Sequence, residues 1–211
     1  MIENLHWLAN SGFRLDATKT VYFDPWKIPK DSKKADIIFI SHDHFDHCSL
    51  PDIKRIAAAD TVIVCDKATA HQLSGRVAVR EVKALSPGDT VDVDGIRVEA
   101  LPAYNLKARF HPRSSEYLGY LVDIEGARIY HAGDSDLVPE IKGHVCDLAL
   151  LPVSGTYCMD AAAAAEAAIA LKTKVAVPMH YGDPAGSAAD AKKFQELLKG
   201  KVEVRILRKK G

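Results

Sequence analysis

Residues 41–47 read Ser41-His42-Asp43-His44-Phe45-Asp46-His47, three histidines and two aspartates in seven positions. Imidazole nitrogen and carboxylate oxygen are the donors that hold zinc, manganese or iron. His42 and His44 are two apart, so an extended chain points both to one side. Asp46 and His47 then turn with the loop toward a second point. The bland alternative is a polar surface loop with chance histidines, but His is a rare residue and clusters here. The same donor types return in Tyr130-His131-Ala132-Gly133-Asp134-Ser135 and in Val177-Pro178-Met179-His180-Tyr181-Gly182. Taken singly, Asp134 reads as turn chemistry and His180 as a core or capping histidine.

These residues need elements to place them. Residues 37–41 (IIFIS) are a continuous apolar run, the pattern of a strand buried on both faces. The histidine loop therefore starts at a strand end, where functional residues concentrate. Pro51 opens a helix expected through about Ala59, with Ser49 as its cap. Further strands are expected at 21–24 and 61–65. Asp94-Gly95 and Glu125-Gly126 mark hairpins over 90–99 and 117–131. Buried strands at 147–153 and 174–178 flank an alanine-rich helix that Asp160 is placed to cap. A last helix at 187–198 precedes a strand at 202–207. Hairpins followed by strands alternating with helices predict an α+β protein of sheet and helix layers.

Composition bounds the rest. The 211 residues are 47% hydrophobic and 27% charged, an ordinary globular balance that excludes disorder, collagen and coiled coil. Such a length supports one domain with a real core, and no linker interrupts residues 1–211. The 28 basic and 28 acidic residues cancel, so the basic excess of a nucleic-acid binder is missing. No apolar run approaches the ~18–20 residues of a membrane span. The N-terminal MIENLHWLAN lacks the basic and apolar regions of a signal peptide. Cys48, Cys65, Cys146 and Cys158 form no C-x-x-C pair, which reads as reduced, buried thiols in the cytoplasm.

His42-x-His44-x-Asp46-His47 after a buried strand resembles the signature of the metallo-β-lactamase superfamily. The Asp134 and His180 segments resemble that superfamily's later motifs, in the same order and across nearly the whole chain. The resemblance implies a four-layer αββα sandwich with the metal site at one edge of the two sheets. It implies that His42 and His44 hold one divalent ion, that Asp46, His47 and His180 hold another, and that Asp134 bridges them. More narrowly, Asp24-Pro25, the run from Asp147 to Pro152, Gly155-Thr156-Tyr157 and Met159-Asp160 resemble the compact metal-dependent hydrolases that include the ascorbate-6-phosphate lactonases.

One position departs from the pattern. The family places a third histidine for the first metal in a Pro-Ala-aromatic-His stretch, and here Pro102-Ala103-Tyr104 is followed by Asn105. Asn is a weak zinc ligand. Either His111 serves instead, or the first site is oxygen-rich and favours manganese or iron, or one metal suffices. His111 could equally face the substrate. Lys107 and Arg109, with Arg113, form a basic segment that would suit an anionic substrate, or simply a solvated loop. Asp24 is expected to orient a ligand imidazole, and His131 to line or support the site.

The expected cofactors are two divalent ions, zinc first, with manganese or iron as alternatives. The expected reaction is hydrolysis of a small ester, lactone or phosphoester by a metal-bound hydroxide, with Asp46 orienting it or acting as general base. The alternatives are a phosphodiesterase or nuclease, and a non-catalytic metal-binding protein with a partly degraded site. The expected partner is a small molecule, with an anionic one in view. No membrane partner is expected, nucleic acid is disfavoured, and a homo-oligomer stays open.

Overall fold

The apolar run predicted as a buried strand is one, with every side chain of Ile37–Ile40 buried. The computed structural model describes residues 2–107 and 110–210. The chain falls into two compact units, Met1–Ser86 with Arg208–Gly211, and Pro87–Leu207.

In the first unit β1 (Leu5–Ala9), β2 (Gly12–Asp16) and β3 (Thr20–Phe23) pair antiparallel. The strands β4 (Ile37–Ile40), β5 (Val62–Asp66) and β6 (Glu81–Leu85) extend the sheet in parallel, giving the order β1 to β6. Helix α1 (Leu50–Ile56) follows β4, and α2 (Lys67–Leu73) follows β5. Ile38 and Ile40 of β4 and Ile63 and Cys65 of β5 join Ile53 and Ile56 of α1 and Leu73 of α2 in one buried cluster. That burial of apolar surface anchors both helices to the sheet.

Helix α1 stops at Ile56, three residues short of the expected end. Ala58 donates its N–H to Thr61 Oγ1 (2.8 Å), and the Thr61 hydroxyl donates to the Ala35 carbonyl (2.5 Å). The chain is thereby turned into β5 despite the helix propensity of the alanines. Ser49 occupies the cap position without bonding the helix backbone. Its hydroxyl donates to Asp52 Oδ2 (2.7 Å), and that oxygen also accepts the Lys27 N–H.

In the second unit β7 (Thr90–Val93), β8 (Ile96–Pro102), β9 (Leu118–Ile124) and β10 (Ala127–His131) form an antiparallel meander. The strands β11 (Leu148–Pro152), β12 (Val175–Met179) and β13 (Glu203–Val204) continue it in parallel, so the sheet runs β13 to β7. The predicted 202–207 strand shrinks to its first paired residues. Helix α3 (Ala161–Ala170) packs on β11 and on α4 (Ala188–Leu198). Asp160 caps α3 through the N–H groups of Ala162 and Ala163, and Ser187 with Asp190 closes a capping box on α4.

Both units are thus α+β, each built on one mixed sheet. Every chemistry-bearing segment follows the carboxyl end of a strand: Asp24 after β3, His42 after β4, Asn105 after β8, Asp134 after β10 and His180 after β12. Open α/β sheets bind ligands at those ends.

Candidate metal centre

Strands β3 and β4 are parallel neighbours, so the residues after them leave the sheet side by side. Asp24, with φ of 41°, receives the Ser41 N–H on Oδ1 at 2.7 Å. Its Oδ2 accepts the Ser41 hydroxyl at 2.7 Å and His47 Nδ1 at 2.7 Å. The single hydroxyl proton of Ser41 goes to Asp24, so Ser41 Oγ accepts from His42 Nδ1 at 2.9 Å. Both His42 and His47 are therefore protonated on Nδ1, and Nε2 is the nitrogen that could take a metal. His44 turns its other nitrogen inward: His44 Nδ1 lies 3.0 Å from His42 Nε2. Two nitrogens bound to one tetrahedral ion at about 2.0–2.1 Å stand about 3.3 Å apart, close to this spacing. Asp46 Oδ2 lies 3.7 Å from His47 Nε2 and accepts Asn10 Nδ2 at 2.9 Å. Asp24, His42, Asp46 and His47 are all buried. Buried donors this close are the chemistry of a cation site rather than of a solvated loop.

The second unit repeats the device. Asn105 Nδ2 donates to the Tyr157 carbonyl (2.8 Å) and to Asp136 Oδ1 (3.3 Å). Its amide oxygen is thereby turned to His111 Nδ1 at 3.1 Å, and the Tyr157 carbonyl meets the same nitrogen at 3.1 Å. Two acceptors on Nδ1 place the proton there and make Nε2 of His111 the nitrogen that could take a metal. That atom lies 4.0 Å from Asp134 Oδ2. His180 Nε2 lies 3.1 Å from the same oxygen, while Ser154 Oγ holds its Nδ1 at 3.0 Å. Burial pulls the His180 imidazole down, but the Asp134 carboxylate beside it prevails and pushes it up to about 11. The proton so held on Nε2 marks a place where positive charge is strongly favoured.

His111 and Asp134 therefore come together with His180 in this unit, whereas Asn105 supports His111 from behind. His131 is fully buried, and its Nδ1 accepts the Gly133 N–H at 3.3 Å in the turn that delivers Asp134. Lys107 is exposed, Arg113 pairs with Glu140 at 2.7 Å, and Arg109 lies outside the described residues. Cys48 packs in the buried cluster of the first unit, and burial pushes its thiol up to about 12. The sequence reading missed Asn10, Ser41 and Ser154. Ser41 opens the histidine loop, and only the pairing of β3 with β4 shows that it meets Asp24.

Comparison with known proteins accords with these motifs. The profile of the Beta-lactamase superfamily domain matches residues 4–180. A UPF0173 metal-dependent hydrolase of Pyrococcus horikoshii is 31% identical over 96% of this chain and 95% of its own length. One from Archaeoglobus fulgidus is 32% identical, with 96% and 94% covered. A crystal structure from Parabacteroides distasonis superposes with a TM-score of 0.85 at 30% identity, over 98% of this chain and 93% of that one. Igni18, a metallo hydrolase of Ignicoccus hospitalis, shares the fold with a TM-score of 0.80 at 24% identity, over 98% and 95%. The order of His42-x-His44-x-Asp46-His47, Asp134 and His180, the two mixed sheets and these matches agree, and the chain belongs to the metallo-β-lactamase superfamily, among the UPF0173 metal-dependent hydrolases.

Proposed function

We propose that this metal-dependent hydrolase cleaves a small ester, lactone or phosphoester with two divalent ions. In this reading His42, His44, Asp46 and His47 supply ligands from the first unit, and His111, Asp134 and His180 supply them from the second. One observation carries it. Four of the imidazoles, on His42, His47, His111 and His180, have their Nδ1 engaged by a neighbouring side-chain oxygen, which leaves Nε2 for ligation. Such outer partners fix the tautomer and the ring direction of metal-binding histidines. A surface cluster of histidines has no reason to carry them.

Bound there, a pair of divalent ions lowers the pKa of water and stabilises charge that develops on the substrate oxygen. The chain supplies the remainder. Asp46 orients the attacking water and takes its proton. Asp24 and Ser41 keep two imidazoles from turning. No serine or cysteine nucleophile is required, and Cys48 is buried in the core of the first unit.

The test is elemental analysis of untagged protein, followed by assays on an aryl ester, a γ-lactone and an aryl phosphate before and after chelation. Two bound ions with activity that chelation abolishes support the reading. A chain that binds no divalent ion, or that binds two and cleaves none of the three, overturns it.

A further inference from the structure

Asn10 lies in the tight turn between β1 and β2, is 1% exposed, and has φ of 49°. Asparagine tolerates that left-handed backbone better than most residues. Trp7 Nε1 donates to its carbonyl at 2.9 Å and fixes the turn. The Asn10 amide is aimed at the histidine loop. Its Nδ2 lies 2.9 Å from Asp46 Oδ2 and 3.5 Å from His47 Nε2. Those two atoms are 3.7 Å apart. Both are acceptors, so the amide nitrogen faces them. The cost is on the other side: Asn10 Oδ1 is buried with no hydrogen-bond partner among the described residues. Buried polar atoms are rarely left so.

The three atoms form a triangle with sides of 2.9, 3.5 and 3.7 Å. The point equidistant from its corners (product of the sides over four times the area) lies about 2.0 Å from each, the length of a zinc–nitrogen or zinc–oxygen bond. The Asn10 amide thus stands at the third corner of a coordination triangle. A cation at that point takes up the lone pairs of Asp46 and His47 and repels the amide N–H groups. A half-turn about χ2 exchanges Nδ2 for Oδ1, and that torsion is broad and nearly two-fold. The unpartnered oxygen then becomes a neutral ligand, and the N–H groups take its former place.

We propose that Asn10 is itself a metal ligand, giving Oδ1 to the ion held by Asp46 and His47, with its amide turning over as the ion enters. The inference rests on the two-metal reading above. It makes the donor set of that ion richer in oxygen, which suits manganese or iron as well as zinc.

The test compares wild type with Asn10→Gly and Asn10→Asp, all full-length and stripped of metal, titrated with Co²⁺ and followed by visible absorption. Glycine removes the ligand without straining the positive φ, and aspartate keeps the shape while offering oxygen on both sides. Far-ultraviolet circular dichroism checks that each variant folds. Expected are two Co²⁺ in wild type, about tenfold or greater weakening of one of them in Asn10→Gly, and stronger absorption bands as the coordination number falls. Asn10→Asp should keep the wild-type affinity and band shape. An Asn10→Gly titration identical to a two-cobalt wild type would overturn the role of Asn10 alone. So would an Asn10→Asp weaker than Asn10→Gly, because it would show that the N–H groups are what matters. A wild type that takes up no Co²⁺ would overturn the two-metal reading and this inference together.

Discussion

Asp24 Oδ2 holds His47 Nδ1 at 2.7 Å, and both side chains are shut off from solvent. The same carboxylate receives the N–H and the hydroxyl of Ser41, so one aspartate governs the aim of His47 directly and of His42 through Ser41. Replacing Asp24 by Asn keeps the volume but removes one acceptor and the charge. Outer partners of this kind are worth about 10- to 100-fold in metal affinity. Asp24→Asn is expected to fold and to bind zinc about 10- to 100-fold more weakly, measured by competition with a chromophoric chelator. Unchanged affinity would mean that Asp24 only closes the strand end.

In the proposed site His111 is a ligand and Asn105 its support. Asn105 Nδ2 is spent on the Tyr157 carbonyl and Asp136, and its oxygen on His111. His111→Ala should therefore drop metal content from two ions to one. Asn105→Ala should keep two sites at high metal concentration but weaken one, because His111 loses an acceptor while the Tyr157 carbonyl remains at 3.1 Å. Elemental analysis after dialysis at two metal concentrations separates the variants. Stoichiometry that falls in Asn105→Ala and not in His111→Ala would reverse the two roles.

Much of this was legible in the chain. The apolar run of β4 and the histidine loop after it needed only periodicity and donor chemistry. The hairpin at Asp94-Gly95 and the cap at Asp160 were written in local residues, and both formed. Other elements hid for physical reasons. Asp66 is at once the last residue of β5 and the cap of α2, so no loop residues announce that helix. The turn between β1 and β2 uses Asn10 at positive φ, without the Asp-Gly or Glu-Gly pair that marked the other two hairpins, and it was not read from the sequence. Asn105 looked like a lost ligand because spacing shows which residues are near, not which way an amide faces. That direction is set by Tyr157 and Asp136, 52 and 31 residues away.

Metal uptake should tighten as pH rises. The Asp134 carboxylate raises the His180 pKa to about 11, so His180 carries its proton at neutral pH before an ion enters. The sign follows. The protonated pair is fully present below the ordinary value of about 6.5 and is lost as pH climbs toward the raised value. An ion at Nε2 must displace that proton, and lower proton activity makes this easier. Calorimetric zinc titrations in buffers of different ionisation enthalpy should show protons released on binding and affinity rising from pH 6 to 8. A pH-independent affinity without proton release would remove His180 from the ligand set.

Gly12 joins the fold to the metal centre through space alone. A Cβ there would stand 2.8 Å from the Ala9 carbonyl oxygen and 2.9 Å from that of Asp24. Both obstacles are backbone, so no flexible side chain can yield. The Ala9 oxygen belongs to the strand that leads into Asn10, and the Asp24 oxygen to the residue that orients His47. Gly12→Ala must push one of them away. Forcing a methyl into packed backbone costs about 1–3 kcal/mol. For a chain of this length that is a fall in Tm of about 2–4 °C per kcal/mol. The displacement also shifts Asn10 or Asp24, so zinc affinity should fall in the same variant. Differential scanning calorimetry of the metal-free protein reads the first effect, and chelator competition reads the second. A lower Tm with intact affinity would confine the close approach to packing. An unchanged Tm would mean that the strands slide apart at no cost, which the 0–1% exposure of Ala9, Phe13 and Asp24 argues against.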